Sequence, residues 1–252
     1  AAKAEEEIKK GRYRGPLHGI PFSIKDNLAT QGIRTTAGSK ILSNWLPDYN
    51  ATVVEKLKNA GAIILGKTNL HEWALGGTTI NPYYGTTYNP WDLKRIAGGS
   101  SGGSGAAVSA SMCLASLGTD SAQSVRNPAS MCGIVGLKPT YGRVSQFGGV
   151  VGTGAFSTNH VGVLSKTVED CALVLETIAG HDTLDPLSAD MPVPHYLQTI
   201  GKAVRGLKVG VLRGYFEDVL SDEVKVAISK AIEVLKSIGM KEEDVSIPHM
   251  DL

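Results

Sequence analysis

The chain has 252 residues, 42% of them hydrophobic, with 25 lysines and arginines against 24 aspartates and glutamates and a formal net charge of +1. That balance excludes the broad basic field of a dedicated nucleic-acid or membrane-surface binder, and the length fits one large core or two small ones. Cys113, Cys132 and Cys171 lie far apart without CxxC or Cys/His spacing, so disulfide and zinc scaffolds are excluded and a reducing, cytoplasmic compartment is expected.

Residues 2–10 are polar and periodic, which reads as the end of an amphipathic helix closed by Gly11 rather than as a signal peptide. A turn-rich approach, residues 15–21, leads to the short apolar stretch Phe22-Ser23-Ile24-Lys25. Asn50 is placed to cap a helix through Asn59 that ends at Gly61, and Ala62-Ile63-Ile64-Leu65 then reads as a buried strand. Residues 98–105 are almost all glycine and serine, and residues 106–117, small and apolar, read as a buried central helix behind that loop. Residues 134–137 read as a strand and residues 168–179 as an amphipathic helix closed by Gly180. A proline-spaced connector, residues 182–194, precedes a strand at 207–212, a helix capped by Ser221 and ending at Gly239, and a last strand at 245–247. No apolar run approaches the ~20 residues of a membrane span. Alternating strands and helices predict an α/β fold with a mixed, largely parallel sheet core wrapped by helices.

Gly61-Ala62-Ile63-Ile64-Leu65-Gly66-Lys67-Thr68 matches the phosphate-cradle pattern GxxxxGK[ST] letter for letter. Its context is wrong, because a helix precedes Gly61 and the four intervening residues are apolar and β-prone instead of an amide-exposing loop. Gly61 is then a helix cap and Lys67 a solvated residue at a strand end. Thirty glycines, about 12% of the chain against a usual ~7%, are clustered, and the cluster points to the function. Three pieces stand out: Lys25 alone in its apolar stretch, the loop Gly98-Gly99-Ser100-Ser101-Gly102-Gly103-Ser104, and Gly118-Thr119-Asp120-Ser121-Ala122-Gln123-Ser124-Val125-Arg126.

Together with Gly15-Pro16-Leu17-His18-Gly19-Ile20-Pro21, Gly66-Lys67-Thr68-Asn69, Asn89-Pro90-Trp91 and Cys132-Gly133-Ile134-Val135-Gly136-Leu137-Lys138-Pro139-Thr140, these pieces make the chain resemble the amidase signature family from about Gly15 to Pro194. The resemblance implies cleavage or exchange of amide C–N bonds without cofactor or metal. It assigns Ser124 as nucleophile, Ser100 as bridging serine with its own peptide bond in cis, and Lys25 as base. A serine hydroxyl needs a base, and a lysine serves only if desolvated well below its usual pKa of about 10.4. Pro21, Phe22 and Ile24 are expected to supply that desolvation.

The resemblance also places the oxyanion donors on the backbone of Ser121, Ala122, Gln123 and Ser124. Family members carry glycine before the nucleophile, where this chain has Ala122-Gln123. If either position needs positive φ, the side chain adds strain, and Gln123 is placed to narrow the acyl pocket. Asp120 and Arg126 are expected to tie down the nucleophile loop, the bland alternative being a surface ion pair, and Ser101 to support the relay. The histidines at 18, 71, 160, 181, 195 and 249 lack metal-ligand spacing, and Cys132 reads as a buried structural thiol.

Three functions stay open: an amide hydrolase forming an acyl-enzyme on Ser124, the A subunit of a tRNA-dependent amidotransferase, and a catalytically weakened binding protein of the same fold. A small-molecule amide is the expected substrate, with no membrane and no direct nucleic-acid partner. A homodimer is the expected assembly, or partner subunits in the amidotransferase case. Because family members are considerably longer, the chain reads as one amidase-signature domain that is a portion of a larger protein, incomplete at its C-terminus.

Overall fold

The computed structural model describes residues 1–150, 157–213 and 219–248, and the chain separates into two compact units, Ala1–Gln198 and Thr199–Leu252. In the first unit the strands are β1 (Pro21–Lys25), β2 (Ile63–Thr68), β3 (Tyr88–Asn89), β4 (Asp92–Ile96), β5 (Ala115–Asp120), β6 (Val135–Leu137) and β7 (His160–Ser165). Its helices are α1 (Ala2–Lys9), α2 (Thr52–Asn59), α3 (Gly102–Ser109), α4 (Arg126–Cys132) and α5 (Val168–Ile178). Five strands form one sheet in the order β2-β1-β5-β7-β6, and β3 and β4 pair separately. β1 is parallel to both β2 and β5, whereas β7 runs antiparallel to β5 and β6. The fold is therefore α/β with a mixed, mostly parallel sheet wrapped by helices.

Strand alternation sends successive side chains of β1 to opposite faces. Phe22 and Ile24 enter a cluster with Val53, Val54 and Leu57 of α2 and Val174 and Ile178 of α5. Ser23 and Lys25 face the other way, where Ser23 Oγ meets Ser116 Oγ of β5 at 2.8 Å and Lys25 reaches the start of α3. A smaller cluster of Val108, Val125, Ala129 and Leu164 closes that side between α3, α4 and the sheet. Each fully buried aliphatic or aromatic side chain contributes about 1.5–3 kcal/mol, so the floor beneath Lys25 is held from both faces.

Several expected elements form differently. The small-residue run at 106–117 is not one helix: α3 starts inside the glycine loop and stops at Ser109, and Ala115 opens the fully buried β5 between β1 and β7. Gly103, in the first turn of α3, has no room for a side chain, since a Cβ there would lie 2.5 Å from the Asn69 carbonyl oxygen. Asn50 does not cap α2. Its Oδ1 accepts the Gln31 N–H at 2.9 Å, its Nδ2 donates to Glu55, and Ala51 occupies the cap position. β2 is an edge strand rather than a buried one, with Leu65 56% exposed. Because Ile63–Thr68 is extended, the GxxxxGK[ST] segment has no amide-lined cradle.

The second unit contains β8 (Lys208–Leu212), α6 (Asp222–Ser237) and β9 (Lys241–Val245), a βαβ arrangement whose two strands pair in parallel. Ser221 stands at the start of α6, but its hydroxyl makes no capping bond. β9 precedes the expected 245–247 because the polar Lys-Glu-Glu-Asp run pairs along β8, Lys208 opposite Lys241. No helix among the described residues is long and apolar enough to cross a membrane.

Candidate active site

Lys25 ends β1 with its side chain fully buried. Its Nζ donates to Ser100 Oγ at 2.8 Å, to Thr119 Oγ1 at 2.8 Å and to Thr119 O at 3.3 Å. Thr119 sits on β5, the neighbour of β1, and Asn27 Nδ2 donates to the same hydroxyl at 3.1 Å. Burial holds the Lys25 pKa well below the usual lysine value, against the pull of the Asp120 charge. That desolvation comes from Lys25's own face of the sheet and the loop above it, because Phe22 and Ile24 point to the opposite cluster.

Ser100 is fully buried, and the Gly99–Ser100 peptide bond is cis. Its carbonyl accepts the His71 N–H at 3.1 Å and the Thr79 hydroxyl at 3.3 Å, and Thr79 Oγ1 also accepts the Gly102 N–H at 3.1 Å. Segment 71–79 thus clamps the serine loop, with Trp73, Ala74 and Thr79 all at positive φ. Such non-glycine outliers concentrate where surrounding structure over-determines the backbone. Ser101 does not join the Lys25–Ser100 pair. Its hydroxyl donates to Thr119 O at 3.2 Å and its N–H to Ser124 O at 3.1 Å, bracing β5 and the neighbouring loop.

Ser124 is 9% exposed, and its hydroxyl has no partner among the described residues. The N–H groups of Ala122, Gln123 and Ser124 likewise donate to nothing there. Neither Ala122 nor Gln123 is at positive φ, so the replacement of glycine at these positions adds no left-handed strain. Asp120 is fully buried, unlike a member of a surface ion pair. Burial opposes its ionisation. The Arg126 guanidinium, at 3.1 Å from Oδ2 and 3.0 Å from Oδ1, and the N–H groups of Val125 and Arg126 at 3.0 and 3.3 Å outweigh that effect and hold the carboxyl below its usual pKa. Arg126 also donates to Ala122 O at 2.5 Å, which pins the loop before Ser124. Ser121 Oγ reaches Asn159 Oδ1 at 3.3 Å.

Thr119, Thr79 and the His71 backbone are the site residues that the sequence reading passed over. Only Thr119 had a signal, its place one residue before Asp120 in the Gly-Thr-Asp block. Lys67, expected in solvent, is mostly buried and donates to Leu28 O at 2.5 Å, Thr35 Oγ1 at 2.8 Å and Thr30 Oγ1 at 3.1 Å, with Asp26 Oδ1 at 3.5 Å. Cys132 is buried, and burial pushes its thiol up to about 11. No cluster of three or more metal-ligating side chains occurs among the described residues, which exclude His249.

A family model described as Amidase matches residues 1–252. The A subunit of the glutamyl-tRNA(Gln) amidotransferase of Carboxydothermus hydrogenoformans is 52% identical over 99% of this chain and 51% of its own length. That of Heliobacterium modesticaldum is 48% identical over 100% of this chain and 51% of its own. The chain therefore spans about half the length of the curated relatives it matches. Among solved structures, the corresponding A subunit from Thermotoga maritima superposes with a TM-score of 0.87 at 42% identity, covering 94% of this chain and 52% of that one. A peptide amidase from Stenotrophomonas maltophilia superposes with a TM-score of 0.89 at 35% identity, covering 100% and 52%.

Proposed function

Since the chain belongs to the amidase family, we propose that it carries the acyl-transfer centre of an amide C–N bond-cleaving enzyme, working as the A-subunit type of an amidotransferase. The observation that carries the chemistry is the buried, desolvated Lys25 with Nζ 2.8 Å from Ser100 Oγ. Neutral Lys25 takes a proton from Ser100 as Ser100 takes that of Ser124. Ser124 Oγ attacks the amide carbonyl, and the developing oxyanion is met by the free N–H groups of residues 122–124. Collapse breaks the C–N bond, the proton returns from Lys25 through Ser100 to the leaving nitrogen, and water then releases the acyl group from Ser124. No cofactor or metal is needed in this scheme.

The choice of an amidotransferase role over a stand-alone amidase rests on the relatives, about half of whose aligned residues this chain shares, whereas the peptide amidase shares 35%. In that role the released ammonia passes to partner subunits. The ordinary φ of Ala122 and Gln123 removes the strain argument for a weakened binding protein. The test is incubation with glutamine and, separately, with short aliphatic amides, reading ammonia release and adduct mass on Ser124. Glutamine turnover abolished by Ser124→Ala is expected. Turnover of the aliphatic amides alone would return the chain to the hydrolase reading, and an unmodified, inactive Ser124 under all conditions would refute the acyl-enzyme.

A further inference from the structure

Gln123, immediately before Ser124, is exposed, and neither end of its carboxamide has a hydrogen-bond partner among the described residues. Its Nε2 nevertheless lies against Gly77, where an added Cβ would be 2.9 Å away. Gly77 belongs to the segment that clamps the serine loop. A Cβ on Gly99 would meet Gly77 C and the Thr78 and Thr79 N atoms at 2.7–2.9 Å, and Thr79 donates to Ser100 O. The Gln123 side chain therefore runs from the residue preceding Ser124 to the backbone that holds Ser100. The Gln123 N–H is itself one of the donors read as meeting the oxyanion, so a carbonyl bound there lies within one residue of this side chain.

We infer that Gln123 is a specificity-determining bar across the mouth of this site, admitting short acyl groups that end in a hydrogen-bonding function and rejecting bulky apolar ones. The inference rests on the reading of Ser124 as nucleophile. Its two effects have separate physical origins: the side chain's volume closes the space over Gly77, and its unpaired carboxamide, two N–H donors and one acceptor, is left for a polar acyl end. One extra or missing methylene in a hydrophobic pocket is worth roughly 10- to 200-fold in rate, which sets the scale of the effect.

The test uses the 252-residue chain and three fluorophosphonate probes that differ only in the group on phosphorus: ethyl, a chain of similar length ending in a carboxamide, and phenylbutyl. Labelling rates are read by intact mass. In the wild type the carboxamide probe should react fastest and the phenylbutyl probe at least about tenfold slower than ethyl. Gln123→Gly, with Gln123→Ala as a second opening in case the first loosens the loop, should cut the ethyl-to-phenylbutyl ratio about tenfold or more. Gln123→Leu should keep that ratio while losing the preference for the carboxamide end. Ethyl labelling of the wild type with both ratios unmoved by all three substitutions would overturn the role of Gln123 and leave Ser124 standing. Absence of ethyl labelling in a folded wild type would instead remove Ser124 as nucleophile, and Gln123 with it.

Discussion

Lys25 has lost its water and regained two hydroxyls, those of Ser100 and Thr119, both of which can accept from an ammonium. Burial destabilises its charged form more than Asp120 restores it, so the proton leaves well below the ordinary lysine value. The protonated amine cannot accept from Ser100. Labelling of Ser124 should therefore rise with pH through the lowered pKa and level off above it. Lys25→Arg offers donors to the same partners but stays charged at every accessible pH. Its labelling rate should fall about 100-fold or more, the usual span of general-base catalysis, with no rising limb. A Lys25→Arg chain that keeps the wild-type profile would exclude Lys25 as the base. At this scale the part expected of Lys25 came from the resemblance, since a lysine by itself is usually a surface charge, and what the structure adds is its burial and its contact with Ser100. Thr119 was less readable because its contact depends on β1 and β5 being neighbours, and the Gln123–Gly77 contact joins residues that no local pattern links.

Lys67 shows how an element can be held by a side chain that looks incidental in sequence. From the edge strand β2 it gathers Leu28, Thr30 and Thr35, fixing the loop that follows β1. Burial lowers its pKa to about 8 despite the Asp26 charge, against about 10.4 for an unfolded lysine. Below pH 8 both states bind the proton, and the full cost of burying the ammonium is present. Between pH 8 and about 10.4 only the unfolded chain stays protonated, so this residue makes stability rise with pH, by on the order of 3 kcal/mol across the window. In urea unfolding the wild type should gain that amount on Lys67→Met between pH 7.5 and 10.5, other titrations cancelling in the difference. Equal pH dependence of the two proteins would show that Lys67 is not buried as a cation. The same dependence on distant partners explains which elements were legible. α2, α5 and α6 announce themselves by periodic apolar positions and a glycine stop. The break between α3 and β5 has no proline or strong turn signal, and Ala115-Ser116-Leu117 is a strand because it lies between β1 and β7, not because its residues prefer one.

At the scale of the whole molecule the two units differ in what they bury. The first has a sheet covered on both faces, whereas α6 has no buried residue and leaves Val224, Val226, Ile228 and Val234 exposed, as is Ile238 just after it. Between α6 and β8 runs a groove of about 740 Å³, lined by Val209, Val211, Leu212, Ile228 and Ile232 among others. A parallel pair of strands with one helix buries too little apolar surface to offset the entropy of ordering some forty residues by itself, at roughly 1–2 kcal/mol each. Opening free energies within one protein range from near zero to the global value, and sparse burial marks the low end. Native-state hydrogen exchange of the 252-residue chain should therefore find the amides of β8, β9 and α6 exchanging at least about 100-fold faster than those of β1, β5 and β7. Equal protection in the two units of the isolated chain would mean that the apolar face of α6 is already covered by another copy, which the concentration dependence of the same protection would reveal.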